Sequence, residues 1–136
     1  MQIFIVGTVY ETAQILDKKR FHRQISEAEL IYKGINGENG WGNNILAKMY
    51  RDHTKFLELY IQVFKLYKLG KFFDAYCTSV EAMKYAPGFI EDNYISNMKS
   101  RLYTKDPAYY KCYESYGKSY INLYYINNEW RRYKQN

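Results

Sequence analysis

The sequence predicts a mainly α fold of the α+β class, a compact helical domain with a small β pairing between the N-terminal and C-terminal segments. Apolar residues recur at spacings of three and four over most of the chain, which is typical of helices that bury one face. Two short stretches, residues 2–6 and 121–126, are rich in β-branched and aromatic side chains and are expected to be the paired strands. A chain of 136 residues is expected to form a single domain over residues 1–136.

Helices are expected between these strands over residues 8–34, 45–69, 72–85 and 90–103, with a short helix after Asp106 and Pro107. Thr8 or Thr12 is the predicted cap of the first helical region, which continues or restarts through residue 34. Its apolar face is predicted to consist of Phe21, Ile25, Ala28, Tyr32 and Ile35. Residues 34–44, GINGENGWGNN, indicate a loop in which Trp41 is either a core anchor or a platform for a stacked ligand.

The composition favours an anionic partner and self-association. Twenty Lys and Arg against fourteen Asp and Glu leave a formal net charge of +6, which attracts nucleic acids and nucleotides, although solubility alone explains it equally well. Aromatic residues make up 19% of the chain, with seventeen tyrosines, and only part of this content can lie in a core; tyrosine is enriched at interfaces, although an AT-rich genome's way of filling a core would explain the content equally well. Cys77 and Cys112 are predicted to be buried free thiols in a reducing cytosol. Without a signal peptide or a long apolar run, we expect a cytoplasmic protein with no membrane partner.

Several kinds of chemistry are not indicated by the sequence. His22 and His53 are the two histidines of the chain, and neither has a partner at zinc-ligand spacing. No Ser-His-Asp arrangement, GxGxxG or Walker-type loop is recognisable. We therefore predict no metal and no cofactor.

Five segments occur in the order and approximate spacing found in a known family. They are LDKKRFHRQISEA, GWGNN, KMYRDHTKFLELY, PGFIEDNYISNMKSRLYTKDPAYY and YGKSY. From Leu16 to about Tyr116 the chain resembles the pyrimidine-dimer DNA glycosylases, the relatives of endonuclease V. The resemblance implies a compact helical domain with a basic face for a nucleotide or nucleic acid.

The same resemblance implies a catalytic mechanism. These enzymes flip a nucleotide and attack its sugar with the α-amino group that removal of Met1 exposes, and a glutamate on an early helix assists. Glu27 matches that glutamate, whereas Gln2 is larger than the small residue that Met1 removal requires.

The chain also departs from the family at positions where the most similar branch has polar groups. Asn44, Ile95 and Met98 stand where histidines are usual, and Arg101 stands where asparagine is usual. This pattern is expected of a site that has stopped doing chemistry and still holds an anion, although neutral drift would produce it as well.

A second resemblance concerns small phage proteins of the first anti-Thoeris type, which sequester cyclic ADP-ribose isomers made by TIR-domain enzymes. It is carried by length, Tyr and Lys content, Arg51, the pair Phe72 and Phe73, and SRLYT with Arg101 and Thr104. It implies a non-catalytic binding protein that acts as a homo-oligomer.

From these observations we predict an immune-evasion protein that binds a cyclic nucleotide signal without turning it over. The alternative is a glycosylase and AP lyase acting on damaged DNA, in which Glu27 is catalytic and DNA is the partner. The predicted ligand-binding residues are Arg20, Gln24, Arg51, Phe72, Phe73, Phe89, Asn93, Asn97, Arg101 and Thr104. Arginines would pair with phosphates, an aromatic ring would stack on the base, and amides or the hydroxyl would bind the sugar. Solvated helix faces, core aromatics and helix caps are the structural alternatives for the same residues.

Overall fold

The computed structural model describes residues 1–118 and 120–133, and its contacts divide the chain into two compact units, Met1–Pro87 and Gly88–Asn136. The first unit contains α1 (Val9–Ile15), α2 (Lys18–Ile35), a 3-10 turn (Gly40–Asn43), α3 (Ile45–Tyr50), α4 (Thr54–Lys68) and α5 (Phe72–Met83). The second contains α6 (Asp92–Lys105), a 3-10 turn (Lys111–Tyr116), β1 (Asn122–Ile126) and β2 (Glu129–Tyr133). The mainly α class is confirmed, and the single domain stays a prediction. None of the helices described is long and apolar enough to cross a membrane.

The prediction that residues 2–6 form a strand paired with the C-terminal segment is wrong. Ile3, Phe4, Ile5 and Val6 are buried as their apolar character suggests, but the segment is not part of a sheet. Side chains from α1, α2 and α4 bond to its backbone instead; the Val6 amide, for example, donates to Thr12 Oγ1 over 3.1 Å. A buried backbone needs partners, and helical side chains meet that need here in place of a neighbouring strand.

α1 begins after Thr8, one of the two predicted caps, and α2 begins after Asp17. Thr8 Oγ1 accepts a hydrogen bond from Glu11 N at the start of α1, and Asp17 caps α2 in the same way. The buried face of α2 consists of Phe21, Gln24, Ala28, Ile31 and Gly34. This face is turned by about one residue from the predicted stripe, so Ile25, Tyr32 and Ile35 are only half-buried. Gln24 occupies the core side because its carboxamide bonds to the N-terminal segment.

A close contact fixes the loop after α2. A Cβ atom on Gly34 would lie 2.8 Å from the carbonyl carbon of Trp41 and 3.0 Å from Gly42 N, so only glycine fits at position 34 without a shift of backbone. Trp41 is 36% exposed, which argues against the core anchor, one of the two alternatives for this residue.

The long helix predicted over residues 45–69 is interrupted. Asn44 caps the short α3, and the chain turns at residues 51–53, where His53 N donates to Tyr50 O over 2.8 Å, before α4 begins at Thr54. Gly70 follows α4 with φ +76°, a conformation that glycine adopts without strain, and it ends the helical stretch as predicted.

Both cysteines differ from expectation. Cys77 on α5 and Cys112 in the second 3-10 turn are free and exposed, not buried. Cys77 lies on the outer side of α5, opposite the small residues through which that helix contacts the rest of its unit. The apolar and aromatic residues next to these cysteines in the sequence are therefore not a sign that the cysteines are buried.

The second unit contains the sheet, which is an antiparallel hairpin made only from the C-terminal segment. The predicted strand over residues 121–126 is confirmed at β1, but its partner is β2, with Tyr125 opposite Trp130. Asn127 and Asn128 connect the strands with φ of 55° and 64°, as the two central residues of a type I′ turn require. On one side of the hairpin, Trp130 stacks on Tyr94 of α6 with ring centroids 5.5 Å apart.

Candidate functional site

One polar cluster joins α2 and α4 to the N-terminal segment. Gln24 Oε1 accepts a hydrogen bond from Phe4 N over 2.8 Å, and Gln24 Nε2 donates to Gln2 O over 2.8 Å. The Tyr60 hydroxyl lies within 2.8 Å of Phe4 O and 3.0 Å of Gln24 Oε1. Gln24 Nε2 also lies 3.4 Å from Glu27 Oε2. The cluster therefore holds the beginning of the chain beside the carboxylate that matches the family's glutamate.

Gln2 has an unusual environment within this cluster. Its residue is 2% exposed, and neither Nε2 nor Oε1 of its carboxamide has a hydrogen-bond partner among the described residues. Buried amides of this kind bind water or a polar ligand group, because an unpaired amide costs roughly 1–3 kcal/mol. Met1, by contrast, is exposed.

A groove of about 390 Å³ lies in the first unit, where α1 and α2 meet the end of α4 and the start of α5. Its lining residues are Ala13, Gln14, Leu16, Lys18, Phe21, His22, Tyr67, Lys68, Gly70 and Phe72. Three aromatic rings form its apolar wall: Tyr67 meets Phe72 edge-on at 4.8 Å between centroids and lies 5.8 Å from Phe21. We call this feature the aromatic groove.

The charge of the aromatic groove is positive. Lys18 and Lys68 are exposed at its edges, and none of the described lining residues is acidic. Its volume is within the range of small-molecule sites, about 300–1,000 Å³. Aromatic walls with ammonium groups at the rim suit a flat ligand that carries negative charge, such as a nucleotide.

Of the predicted binding residues in the first unit, one lines the aromatic groove. Phe72 does so, while Phe73 points to solvent on the outer side of α5. Arg20 forms an ion pair with Asp17 at 3.0 Å, and Arg51 Nη2 donates to Gly42 O over 2.7 Å. Gln24 is the centre of the cluster described above.

The predicted residues of the second unit lie around the hairpin. The Asn97 side chain donates to Ile121 O over 2.8 Å and accepts from Ile121 N over 3.0 Å, and Thr104 Oγ1 donates to Lys118 O over 2.7 Å. Phe89 is buried between Tyr94 and Tyr125. These side chains fix the approach of the chain to β1.

Asn93 is the exception in the second unit. It is exposed and lines a hollow of about 400 Å³ together with Tyr94, Ile121, Leu123 and Trp130, with Glu91 and Arg132 also in the lining.

Arg101 is buried against the same hairpin. Its residue is 7% exposed, its guanidinium carbon lies 4.4 Å from the centroid of the Tyr120 ring, and Nη2 donates to Asn122 Oδ1. Burial lowers the pKa of Arg101 from its usual value, and nearby tyrosines oppose that shift. The group has a structural use within its own unit, as a cation stacked on an aromatic ring.

Lys18, Lys68 and Tyr67 are the site residues that the sequence analysis missed. Lys18 lies in LDKKR, two residues before the predicted Arg20, and Lys68 lies near the end of the helix predicted over residues 45–69; neither lysine was among the predicted binding residues. Among the described residues, no group of three His, Cys, Asp or Glu side chains could hold a metal ion.

The comparisons with known proteins support the first resemblance. The model of the family described as pyrimidine dimer DNA glycosylase matches residues 1–65. No curated protein and no solved structure matches the chain. The matched residues, just under half of the chain, include Gln24, Glu27 and Tyr60 and thus the whole polar cluster at the N-terminal segment. The family match therefore falls on the part of the chain where the N-terminal segment and the early-helix glutamate come together.

Proposed function

We propose that this protein binds a cyclic nucleotide signal without turning it over, and that the ligand is a cyclic ADP-ribose isomer made by TIR-domain enzymes. The observation that carries the proposal is the aromatic groove with Lys18 and Lys68 at its edges. Sequestration of such a signal in the host cytosol would block Thoeris-type defence, which makes the protein an immune-evasion protein of a phage or prophage.

The groove accounts for both halves of the ligand. A purine can lie against the Phe72 and Tyr67 rings, because base-aromatic stacking contributes about 1–3 kcal/mol and tolerates any base. The diphosphate can then meet Lys18 and Lys68, since hydrogen bonds to charged groups contribute about 1.5–3 kcal/mol each. Among the residues predicted from sequence, Phe72 has this role, and the two lysines replace the arginines as the cations of the site.

The affinity needed for sequestration favours an oligomer. A nanomolar dissociation constant corresponds to about 12 kcal/mol, which requires a nearly enclosed ligand. An open groove in one copy encloses one side of the ligand, and a second copy would cover the other. We therefore include homo-oligomerisation in the proposal.

The N-terminal cluster supports the non-catalytic part of the proposal. Gln2 is buried and its carbonyl is held by Gln24, so the residue that would carry the attacking amine is large and embedded in the core. Large second residues also prevent removal of Met1.

Binding can be tested with a charge-reversal variant and a matched control. The purified protein is mixed with cyclic ADP-ribose isomers and filtered, and the free ligand is quantified. Lys18→Glu should weaken binding at least tenfold, whereas Lys19→Glu, which has the same net charge and lies next to it outside the groove, should stay within about twofold. If the ligand remains free with the unmodified protein, or if the two variants have equal effects, the aromatic groove is not the binding site.

Turnover is tested separately by heating the loaded protein and identifying the released molecule by mass spectrometry. Recovery of the intact cyclic ligand is expected. Release of a linear product would show catalysis instead of sequestration.

A DNA glycosylase and AP lyase is the second candidate function, and the family match favours it. Glu27 is linked to the N-terminal segment through Gln24, which supports a role for this carboxylate in assisting an amine. Borohydride should then trap a covalent adduct with DNA that contains pyrimidine dimers or abasic sites, and Glu27→Gln should lose it. Mass spectrometry that finds Met1 intact, together with no adduct, excludes this function.

A further inference from the structure

A hollow in the second unit lies between the start of α6 and the hairpin, and we call it the hairpin hollow. Its volume of about 400 Å³ is within the range of small-molecule sites. None of the described residues that line it also lines the aromatic groove, so the proposed nucleotide site does not account for it. The lining residues are Glu91, Asn93, Tyr94, Ile121, Leu123, Trp130 and Arg132.

The hairpin gives the hollow an apolar floor. Successive side chains of a strand point to opposite faces, and Arg132 lies directly across from Leu123, so both are on the face that also carries Trp130. The Trp130 ring is held by its stacking on Tyr94 of α6, with centroids 5.5 Å apart. The floor of indole and leucine is therefore fixed in place, with the Arg132 guanidinium at its edge.

Two groups of opposite charge lie at the rim of the hollow. Glu91, the residue before α6, and Arg132 are both exposed, and among the described residues neither forms an ion pair with the other or with a third group. The Glu91 side chain also makes no capping hydrogen bond to the start of α6. The neighbouring Arg131 differs, since it is on the other face of the hairpin and pairs with Glu129 at 3.0 Å. Glu91 and Arg132 can therefore pair with a ligand at no cost to an internal contact.

We propose that the hairpin hollow binds an apolar α-amino acid in its zwitterionic form. The Arg132 guanidinium, whose planar fork matches a carboxylate, donates to the carboxylate of the ligand, and its ammonium group donates to the Glu91 carboxylate. The ligand's side chain lies on the Trp130 indole, which removes apolar surface of both from water. A nucleotide suits this hollow less, because its phosphates would meet the Glu91 carboxylate.

This site does not depend on the proposed nucleotide binding, because its residues all belong to the second unit. Since both rim groups are exposed, each charge pair contributes modestly, and we expect a dissociation constant of about 1 mM for a single amino acid.

Chemical-shift titration with L-phenylalanine tests the site. We expect saturable shifts of the Trp130 indole N–H and of the backbone amides of residues 91–94. The indole N–H of Trp41, which does not line the hollow, is the internal control and should stay in place. Glycine, which has both charges and no apolar side chain, should bind much more weakly. A Trp130 signal that does not respond to L-phenylalanine, or that responds equally to glycine, overturns the proposal.

Two analogues of the probe separate the charges. N-acetyl-L-phenylalanine lacks the ammonium group and L-phenylalaninamide lacks the carboxylate, so each should bind about fivefold more weakly than L-phenylalanine. If either analogue binds as tightly as the amino acid, the hollow recognises a single charge, and the zwitterion is the wrong ligand class.

Substitutions at the rim assign each charge to its partner. Glu91→Gln should remove the advantage of L-phenylalanine over the N-acetyl analogue, and Arg132→Gln should remove its advantage over the amide. Arg131→Gln is the matched control, because it makes the same change of charge on the other face of the hairpin, and it should leave all three affinities unchanged. Equal effects of the Arg131 and Arg132 substitutions would show that the net charge, and not the hollow, attracts the ligand, and would overturn the proposal.

Discussion

Gln24 should be the most important polar residue of the first unit for stability, because a single side chain replaces a missing β-strand. Its carboxamide accepts from Phe4 N and donates to Gln2 O, both over 2.8 Å and both in the buried interior. Alanine at position 24 leaves these two backbone groups unpaired, and each unpaired buried group costs about 1–3 kcal/mol. We expect Gln24→Ala to lower the free energy of unfolding by about 3 kcal/mol.

Thermal and urea denaturation, followed by circular dichroism, measure this loss. For a cooperative unit of 60–100 residues, about 3 kcal/mol corresponds to a fall in Tm of more than 10 °C. Gln62→Ala is the control, since Gln62 is an exposed glutamine on α4, and it should change Tm by less than about 2 °C. Equal effects of the two substitutions would refute the strand-replacing role of Gln24.

The stability of the Gln24→Glu variant should depend on pH, which tests the same hydrogen bonds. A carboxylate at position 24 can accept from Phe4 N but cannot donate to Gln2 O, whereas a protonated carboxyl can do both. Burial and the neighbouring Glu27 should raise the folded-state pKa of the new group above its unfolded value near 4.3. Its stabilising contribution is then fully present below the unfolded pKa and is lost as pH rises through the folded pKa, so the deficit relative to the unmodified protein should shrink at acid pH. A deficit independent of pH would contradict the proposed hydrogen bonds.

Three further predictions concern other contacts. Gly34→Ala should lower the free energy of unfolding by about 2 kcal/mol, because its Cβ would meet backbone atoms within 3.0 Å. Gly40→Ala is the control, since a Cβ there has nothing within 4 Å, and it should be tolerated. Urea titration measures the free energy of unfolding of both variants. Asn97→Ala should expose the chain entering the hairpin to faster amide hydrogen exchange by removing both bonds to Ile121, and Asn93→Ala, an exposed neighbour, should not. Desolvation lowers the pKa of His53 below 6.5, so the folded protein binds this proton only at lower pH than the unfolded protein does. The free energy of unfolding should therefore fall as pH drops below about 6.5. His53→Asn should make that fall smaller in denaturation curves measured from about pH 5 to 8.

Some helix ends were predictable because their signals are local. Thr8 caps α1 and Gly70 in the left-handed conformation follows α4, whereas the break between α3 and α4 at residues 51–53 was not predicted. The strand predicted over residues 2–6 was wrong for a non-local reason. Its apolar, β-branched composition indicates a buried extended segment, but the partners of its backbone come from residues 20 and 56 positions away.

The hairpin shows the opposite case, in which a local signal was available. Asn127 and Asn128 are residues that tolerate positive φ, and they stand between two short stretches that contain aromatic side chains. No strand was predicted for residues 129–133, and residues 121–126 were paired with residues 2–6 at the other end of the sequence instead. A short-range partner should have been preferred, since it costs less loop-closure entropy.

The candidate site was harder to predict because the same chemical groups bind ligands and backbone. An amide, guanidinium or hydroxyl side chain that could hold a sugar or phosphate can equally donate to a carbonyl, and Gln24, Arg51, Asn97 and Thr104 all do so here. Sequence position does not distinguish the two uses, because the segments that need these bonds are distant in the chain.

The lysines of the aromatic groove differ from the side chains that bond to backbone carbonyls, and the difference bears on ligand binding. An exposed ammonium group loses little hydration in the free protein, so it needs no internal partner, and among the described residues neither Lys18 nor Lys68 has a carboxylate partner. Arg20, one turn or less from Lys18 on α2, is already neutralised by Asp17 at 3.0 Å. A ligand phosphate that displaced Arg20 from Asp17 would lose much of what it gained, whereas one that met Lys18 and Lys68 would displace only water. At the aromatic groove, Lys18 and Lys68 are therefore better suited than Arg20 to meet an anion.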